Sequence, residues 1–344
     1  MALLLTLARR LAAHSTVSTH LSLLSDRRLG ALVDGATALG TGIGGTSALL
    51  EIEGVKVFVK RVPLTDLERR PENVRSTANL FDLPCFYQYG VGSAGFGVWR
   101  ELAVHTMTTN WVLAGEHSAF PLMHHWRVLP GPPPSDSTVH AWFGDMESLV
   151  EHWEGAEAVR HRLEGIRGSS AGVVLFLEYF PHTLGTWLAG QDISAYTRVD
   201  EELTAGAAFM RGKGLVHFDA HFGNILTEGD HLYFSDFGLA LSSRFDLSAE
   251  ERRFLSLHRD YDLAYTAAHL VNHHLAERVR GEMEVRRFVR EWPERDRPEG
   301  VPAQAAALLT KHARTAVTMS DFHRRLFDES KETPYPAAEL DSSA

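Results

Sequence analysis

Between Ala36 and Val62 the chain follows a two-residue rhythm. Val55, Val57 and Val59 alternate with Lys56, Phe58 and Lys60, the signature of a half-buried strand, and Glu53-Gly54 just before them supplies a tight turn. The segment predicts strand, glycine loop, strand, turn, strand. A helical period follows in VWRELAVHTMTTNWVLAG, where Val98, Leu102, Thr109 and Val112 fall on one side and Gly115 is placed to end the helix. FPLMHHWRVL reads as a strand, and PGPPPSDS after it as a loop whose prolines exclude regular structure. A helix is expected from about Met146 to Ile166, with Leu149, Val150, Trp153 and Leu163 on one side. GVVLFLEYF, a continuous apolar run ending in Glu178 and Tyr179, predicts a buried strand leading into a connection. Beyond it the periods are helical, at Val199, Leu203, Ala207 and Met210 and again through DLAYTAAHLVNHHLAERV. A strand-rich first half therefore meets a helix-rich second half between Glu178 and Thr183. No internal repeat is present, and the tail from about Lys331 reads as disordered.

Composition narrows the classes. The 344 residues are 44% hydrophobic, enough to bury a sizeable core in one large domain or two lobes. Lys and Arg number 34 against 44 Asp and Glu, a formal charge of −10, so no basic field invites nucleic acid or an anionic membrane. Cys85 is the single cysteine, which excludes an intrachain disulfide and a thiolate metal cluster and suits a reducing compartment. In MALLLTLARRLAAHS the charges Arg9 and Arg10 follow the apolar Leu3 to Leu7, the reverse of a secretory leader. No apolar run reaches the roughly 18 to 20 residues that cross a bilayer. The expectation is a soluble cytoplasmic protein with no membrane or nucleic-acid partner, whose residues 1–30 form an amphipathic helical extension.

Candidate chemistry sits in three places. Gly40, Gly42 and Gly45 form G-x-G-x-x-G between two strands, where backbone amides can approach phosphate oxygens. A dinucleotide-binding loop would open a helix, and this one opens a strand. Lys60 lies inside the apolar VFVK, where a charge needs a partner if buried. LVHFDAHFGNIL and FSDFG place Asp219, Asn224 and Asp236 at polar turns between short apolar strands. Two carboxylates and a carboxamide converging on one point suit Mg²⁺, a hard ion that shares its shell with phosphates.

These stretches, in this order, resemble the protein-kinase-like superfamily. HFDAHFGN resembles its catalytic loop, Asp236-Phe237-Gly238 its metal-binding motif, and GTGIGG with VFVK its nucleotide loop and lysine. The likeness covers roughly residues 36–275. It implies an α+β, two-lobed protein-kinase-like fold: a strand-rich N-lobe at 31–180 with the nucleotide loop and insertions, a helical C-lobe at 181–330, and a disordered tail at 331–344. It further implies ATP and Mg²⁺ as cofactors. Gly40, Gly42, Gly45 and Lys60 would bind the nucleotide phosphates and Glu101 would pair with Lys60. Glu178 to Phe180 would be the hinge that meets adenine, mostly through backbone groups. Asp219 would be the catalytic base, and Asn224 and Asp236 the metal ligands, all gathered about one magnesium-nucleotide complex. His217 and Phe237 would be packing residues.

Some positions depart from the family pattern. Glu101 follows Lys60 at a longer interval than usual, so Glu68 and Glu72 stand as alternative partners. Phe218 occupies the place of the arginine that regulated protein kinases carry, no A-P-E follows the D-F-G, and the peptide-docking segment is short. Asp219-His221-Asn224, a D-x-H-x-x-N form, is similar to aminoglycoside and choline phosphotransferases. The acceptor expected is therefore a small-molecule hydroxyl, with a protein side chain as the alternative and a non-catalytic ATP-binding scaffold as a further one.

Other features read as structural. Neighbours such as His124-His125 and His273-His274 diverge by 180° in a strand or about 100° in a helix, so neither pair is a natural chelate. VRRFVREW reads as a solvated helix face and Cys85 as a small buried apolar residue.

Overall fold

Five antiparallel strands organise the first part of the chain: β1 (Thr37–Gly42), β2 (Gly45–Ile52), β3 (Val55–Leu64), β4 (Met123–Pro130) and β5 (Ala171–Glu178), in spatial order β1-β2-β3-β5-β4. The computed structural model describes residues 2–42, 45–131, 144–294 and 300–341. Thr46 to Ile52 pair with Arg61 back to Val55 across a turn in which Glu53 and Gly54 both take positive φ, 51° and 76°, the geometry that suits a strand-matched two-residue hairpin. Ile43 and Gly44, at the tip of the glycine loop, and the proline loop from Pro132 onward lie outside the described residues.

Both faces of this sheet are covered. On one, Val57, Val59, Val174 and Phe176 pack with Val17 and Leu21 of α1 (Ala2–Ser22) and Leu29 of α2 (Asp26–Asp34). On the other, Val62, Leu64, Val173, Leu175 and Leu177 pack with Val98, Trp99 and Leu102 of α3 (Val98–Leu113). Helices α1 and α2 are thus part of the core, not an appendage. Arg10, Val17 and Leu21 fall on one helical stripe and are buried, so α1 completes the core of the sheet. Double coverage also explains β5, in which Ala171 to Leu177 are all buried and no polar alternation survives.

Helix α3 lacks a side-chain cap of its own at Gly97. The Val98 amide instead donates to Glu68 Oε1 at 2.9 Å, a carboxylate brought by the preceding helical turn. At the other end Gly115 takes φ 72° and Glu116 donates to the Trp111 carbonyl, the glycine-terminated stop expected from the sequence.

The single helix expected from Met146 to Ile166 is two, α4 (Met146–His152) and α5 (Glu157–Arg167). Glu154 and Gly155 take φ 59° and 71°, which no right-handed helix accommodates, while Trp153 turns inward, fully buried, with its ring edge on Tyr87. Cys85 is half-buried.

Contacts divide the chain into two units. The first is Met1–Tyr179 with Asp236–Ala240 and Phe245–Ser248, and holds the sheet described above. The second is Phe180–Ser235 with Leu241–Arg244 and Ala249–Ala344, and is mostly helical. Its helices include α6 (Ser194–Gly212), α7 (Ala249–Leu257), α8 (Tyr261–Leu270), α9 (Val285–Glu291) and α10 (Ala303–Asp328). Short strands β6 (His182–Thr183), β8 (Ile225–Thr227) and β9 (Leu232–Phe234) form one small sheet, and β7 (Leu215–Val216) pairs with β10 (Leu241–Ser242). On α9, Phe288 and Val289 are buried while Arg286, Arg287 and Arg290 face solvent.

The tail expected to be disordered from Lys331 is ordered through residue 341. The buried Lys331 ammonium donates to the Leu326 carbonyl at 2.6 Å, Tyr335 stacks on His258, and α11 (Ala337–Asp341) follows. A polar composition concealed one aromatic anchor. Among the described residues no helix is long and apolar enough to cross a membrane.

Candidate active site

In the first unit, β3 alternates its side chains between the two covered faces, and Lys60 falls on the face that meets α3. It is 7% exposed, so its charge is buried and needs partners. Its ammonium donates to Glu101 Oε1 at 2.8 Å and to Asp236 Oδ1 at 2.7 Å. Glu101 is buried on the first turns of α3, whereas the Asp236 side chain keeps 44% of its surface. Burial alone disfavours the Lys60 ammonium, but the two carboxylates outweigh it and hold its pKa above the ordinary lysine value. Burial pushes Glu101 up, against the pull of Lys60. When all three are ionised the group carries one net negative charge, which favours a further cation.

Glu68, one of the alternative partners, is engaged elsewhere. Its carboxylate accepts from Thr65, Val98 and Arg162, an arrangement that fixes the start of α3 and hence the height of Glu101. Phe237 is fully buried against His105 and Phe120. Asp236 takes φ 59°, an uncommon left-handed conformation outside glycine.

Of the three glycines, the fold requires one. Gly45 takes φ 128°, and a Cβ there would collide with the Arg61 carbonyl on β3. Gly40 and Gly42 meet only open space or loose contact, so nothing among the described residues forbids a side chain at either.

The expected hinge is more committed than its sequence suggests. The Glu178 amide donates to the Leu122 carbonyl at 2.8 Å, so that N–H is already paired. Its carboxylate forms a bidentate pair with Arg10 of α1, both bonds 2.8 Å, and also accepts from the Leu122 amide. Arg10, 6% exposed, adds bonds to the Ser118 and Phe120 carbonyls. In the second unit the Phe180 ring is buried and stacks on Tyr233 at 3.8 Å.

The second unit also holds the HFDAHFGN stretch, between β7 and β8. Asp262 of α8 accepts the amides of His217 at 2.7 Å and Phe218 at 3.1 Å, pinning the chain just before Asp219. Phe218 takes φ 64°, a strained value for a bulky residue, and its ring is held among Phe254, His258 and Tyr261. His217 does more than pack. Its Nδ1 accepts the Asp219 amide and its Nε2 donates to the Ser235 carbonyl at 2.9 Å. Asn224 Nδ2 donates to Asp219 at both the carbonyl, 3.0 Å, and Oδ2, 2.9 Å. The Asn224 carbonyl accepts from Ser235 twice. His221 Nε2 lies 3.9 Å from Asp219 Oδ2.

These donor sets fit Mg²⁺. Asp236 presents a part-exposed carboxylate, and Asn224 turns its NH₂ to Asp219, which leaves the amide oxygen for a metal. Among the described residues no group of three or more His, Cys, Asp or Glu could hold a metal ion.

Arg10, Asp262 and Ser235 escaped the sequence reading. Asp262 had a signal, a lone carboxylate in the apolar YDLAY, but nothing along the chain links Arg10 to Glu178. No protein-family model and no curated protein matches this chain.

Proposed function

We propose that this chain is an ATP- and Mg²⁺-dependent phosphotransferase with a protein-kinase-like fold, which moves the γ-phosphoryl group to a hydroxyl acceptor. The observation that carries the reading is the buried Lys60 ammonium held between Glu101 and Asp236. A lysine confined in this way is a fixed cation for phosphate oxygens, positioned by one carboxylate and able to exchange the other for a ligand. At Gly40 and Gly42 no side chain stands between the backbone and an approaching ligand, and the described residues leave the space beside them open.

In the second unit Asp219 is the base. Its carboxylate accepts the proton as the acceptor oxygen forms its bond to the γ-phosphorus and the bond to the departing ADP oxygen breaks. Asn224 holds the Asp219 carboxylate from one side, and the Asp262 bonds to the preceding amides fix its backbone. Asp236 and Asn224 each offer an oxygen for Mg²⁺, and bound metal would neutralise phosphate charge. We favour a small-molecule acceptor. From Gly238 to the start of α7 at Ala249 the chain contains one two-residue strand and loop, little on which to dock a peptide.

Calorimetry with ATP, with and without Mg²⁺, together with label transfer from γ-labelled ATP, tests the reading. Binding should require Mg²⁺, and Asp219→Ala should abolish transfer while retaining binding. An unaltered rate in Asp219→Ala, or no ATP binding by the wild type, would end it.

A further inference from the structure

A second G-x-G-x-x-G stands at residues 90–95, within GVGSAGFG, and unlike the first it runs directly into a helix, α3. Its amides are engaged within the protein. The Ala94 amide donates to the Tyr87 hydroxyl at 3.0 Å, the Gly95 amide to Ser93 Oγ at 3.1 Å and the Val98 amide to Glu68. Amides paired in this way are not available to cradle an anion, so the loop has another task.

What the loop touches is the chain just after Asp236. Gly95 takes φ 71°, and a Cβ there would stand 2.5 Å from the Gly238 carbonyl oxygen, so backbone lies directly on backbone. Gln88, 2% exposed, donates from Nε2 to the Leu239 carbonyl. Farther along, the Thr77 hydroxyl oxygen accepts the Asp246 amide at 2.9 Å. The Arg100 guanidinium lies over both Phe96 and Phe245, 5.0 and 5.4 Å from the ring centres. All of these residues belong to the first unit.

The loop is itself fixed from behind. Arg162 of α5 donates to the Gly95 carbonyl at 3.3 Å and to Glu68 at 3.0 Å, and the fully buried Tyr87 meets the edge of Trp153. One arginine thus joins the contact with Gly238 to the carboxylate that starts α3 and sets the height of Glu101. Gly238 stands between the two ends, since a Cβ on it would be 3.5 Å from Asp236 Oδ1 and 3.6 Å from Glu101 Oε2. Both carboxylates that hold Lys60 are therefore set from one loop. Asp236 needs such support, because its left-handed φ of 59° is strained and persists only where neighbouring contacts hold it.

We propose that Gln88 and Gly95 are positioning residues for Asp236: together they clamp Gly238 and Leu239, so that the Asp236 carboxylate is held ready for Mg²⁺ before nucleotide arrives. The metal role rests on the phosphotransferase reading, and the clamp itself does not.

Hydrogen–deuterium exchange of the full chain without ligand reads the clamp, and calorimetry of ATP binding at a series of Mg²⁺ concentrations reads its consequence. Gly95→Ala drives a methyl into the Gly238 carbonyl, and Gln88→Met keeps the length of the side chain while removing the donor. Each should speed exchange in the peptide spanning Asp236–Ala240 about fivefold and raise the Mg²⁺ needed for half-maximal ATP binding roughly five- to tenfold. Gly92→Ala is the control for a merely structural loss, because Gly92 also takes positive φ, 97°, but a Cβ there meets nothing within 4 Å. It should melt lower yet keep both readouts at the wild-type value. If Gly95→Ala fails to fold, Gln88→Met carries the test alone. Unchanged exchange in the clamp variants, faster exchange with an unchanged Mg²⁺ requirement, or an equal change in Gly92→Ala would overturn the assignment. If the wild type binds no Mg-ATP, the phosphotransferase reading falls and the metal role with it, while the exchange result still decides the clamp.

Discussion

Replacing Lys60 by methionine probes the centre of the site through stability instead of turnover. Methionine keeps much of the apolar volume and removes the ammonium, so Glu101, its side chain 3% exposed, faces Asp236 with no cation between them. The buried carboxyl then has two responses. Staying ionised costs about 3–5 kcal/mol, the usual loss when one partner of a buried pair is removed. Taking up a proton costs about 1.4 kcal/mol for each unit by which the pH exceeds the ordinary carboxyl value of 4.5, or about 3 kcal/mol at pH 7.

Protonation therefore caps the loss and makes it depend on pH. With Glu101 neutral in the folded chain and ionised in the unfolded one, its folded pKa is raised, so the penalty grows as pH rises above 4.5 and is released as pH falls. The expected destabilisation is about 3 kcal/mol at pH 7 and under about 1 kcal/mol at pH 5. Urea unfolding at the two pH values measures it, with Trp99 and Trp126, in contact beside α3, as fluorescent reporters. Adding Glu101→Gln should restore most of the loss at pH 7, a coupling that single substitutions cannot reveal. Equal destabilisation at pH 5 and 7, or a double variant no more stable than Lys60→Met, would refute the reasoning.

Three further outcomes follow from the same geometry. Burial pushes Asp262 up to about 7, from 3.8, so this group makes the wild type less stable as pH rises from about 4 to about 7, by at most about 4 kcal/mol. Asp262→Asn should flatten that slope while losing one backbone hydrogen bond, about 1–3 kcal/mol, so in urea unfolding its deficit should be larger at pH 4.5 than at pH 7. Arg10→Met leaves the half-buried Glu178 carboxylate with only its bond from the Leu122 amide and should cost about 1–3 kcal/mol, partly recovered by Glu178→Gln; a loss well under about 1 kcal/mol would show that this pair does not anchor α1. Gly45→Ala should lower the melting temperature sharply, because its Cβ meets the β3 backbone. Gly42→Ala should leave melting unchanged but weaken Mg-ATP binding in calorimetry, and a melting loss at Gly42 equal to that at Gly45 would count against the phosphate-loop assignment.

Much of the architecture was legible because it depends on local periodicity. The hairpin through Glu53-Gly54, the helix from Val98 to its glycine stop and the buried β5 each follow from spacing, turn chemistry or unbroken apolarity. Lys60 and Asp219 stood out as polar residues amid apolar ones, the kind of position that demands a partner. Misreadings occurred where local rules compete with packing. Trp153 was counted on one helical face, yet two left-handed residues after it break the helix. Lys331 lay in a polar tail, yet its ammonium and Tyr335 are anchored.

The amino-acid order by itself determined which residues carry hydrogen-bonding and ionisable chemistry, and most of the segments that form strand or helix, since both depend on neighbours a few positions away. The tertiary structure alone decided partnership. It selected Glu101 over Glu68 for Lys60, joined Arg10 to Glu178, set Asp262 against the backbone that precedes Asp219 and drew His269 and His274 onto one side through a π-turn. Those choices depend on the desolvation of charges and amides by contacts distant in the chain, a quantity that exists only once the core has closed around them.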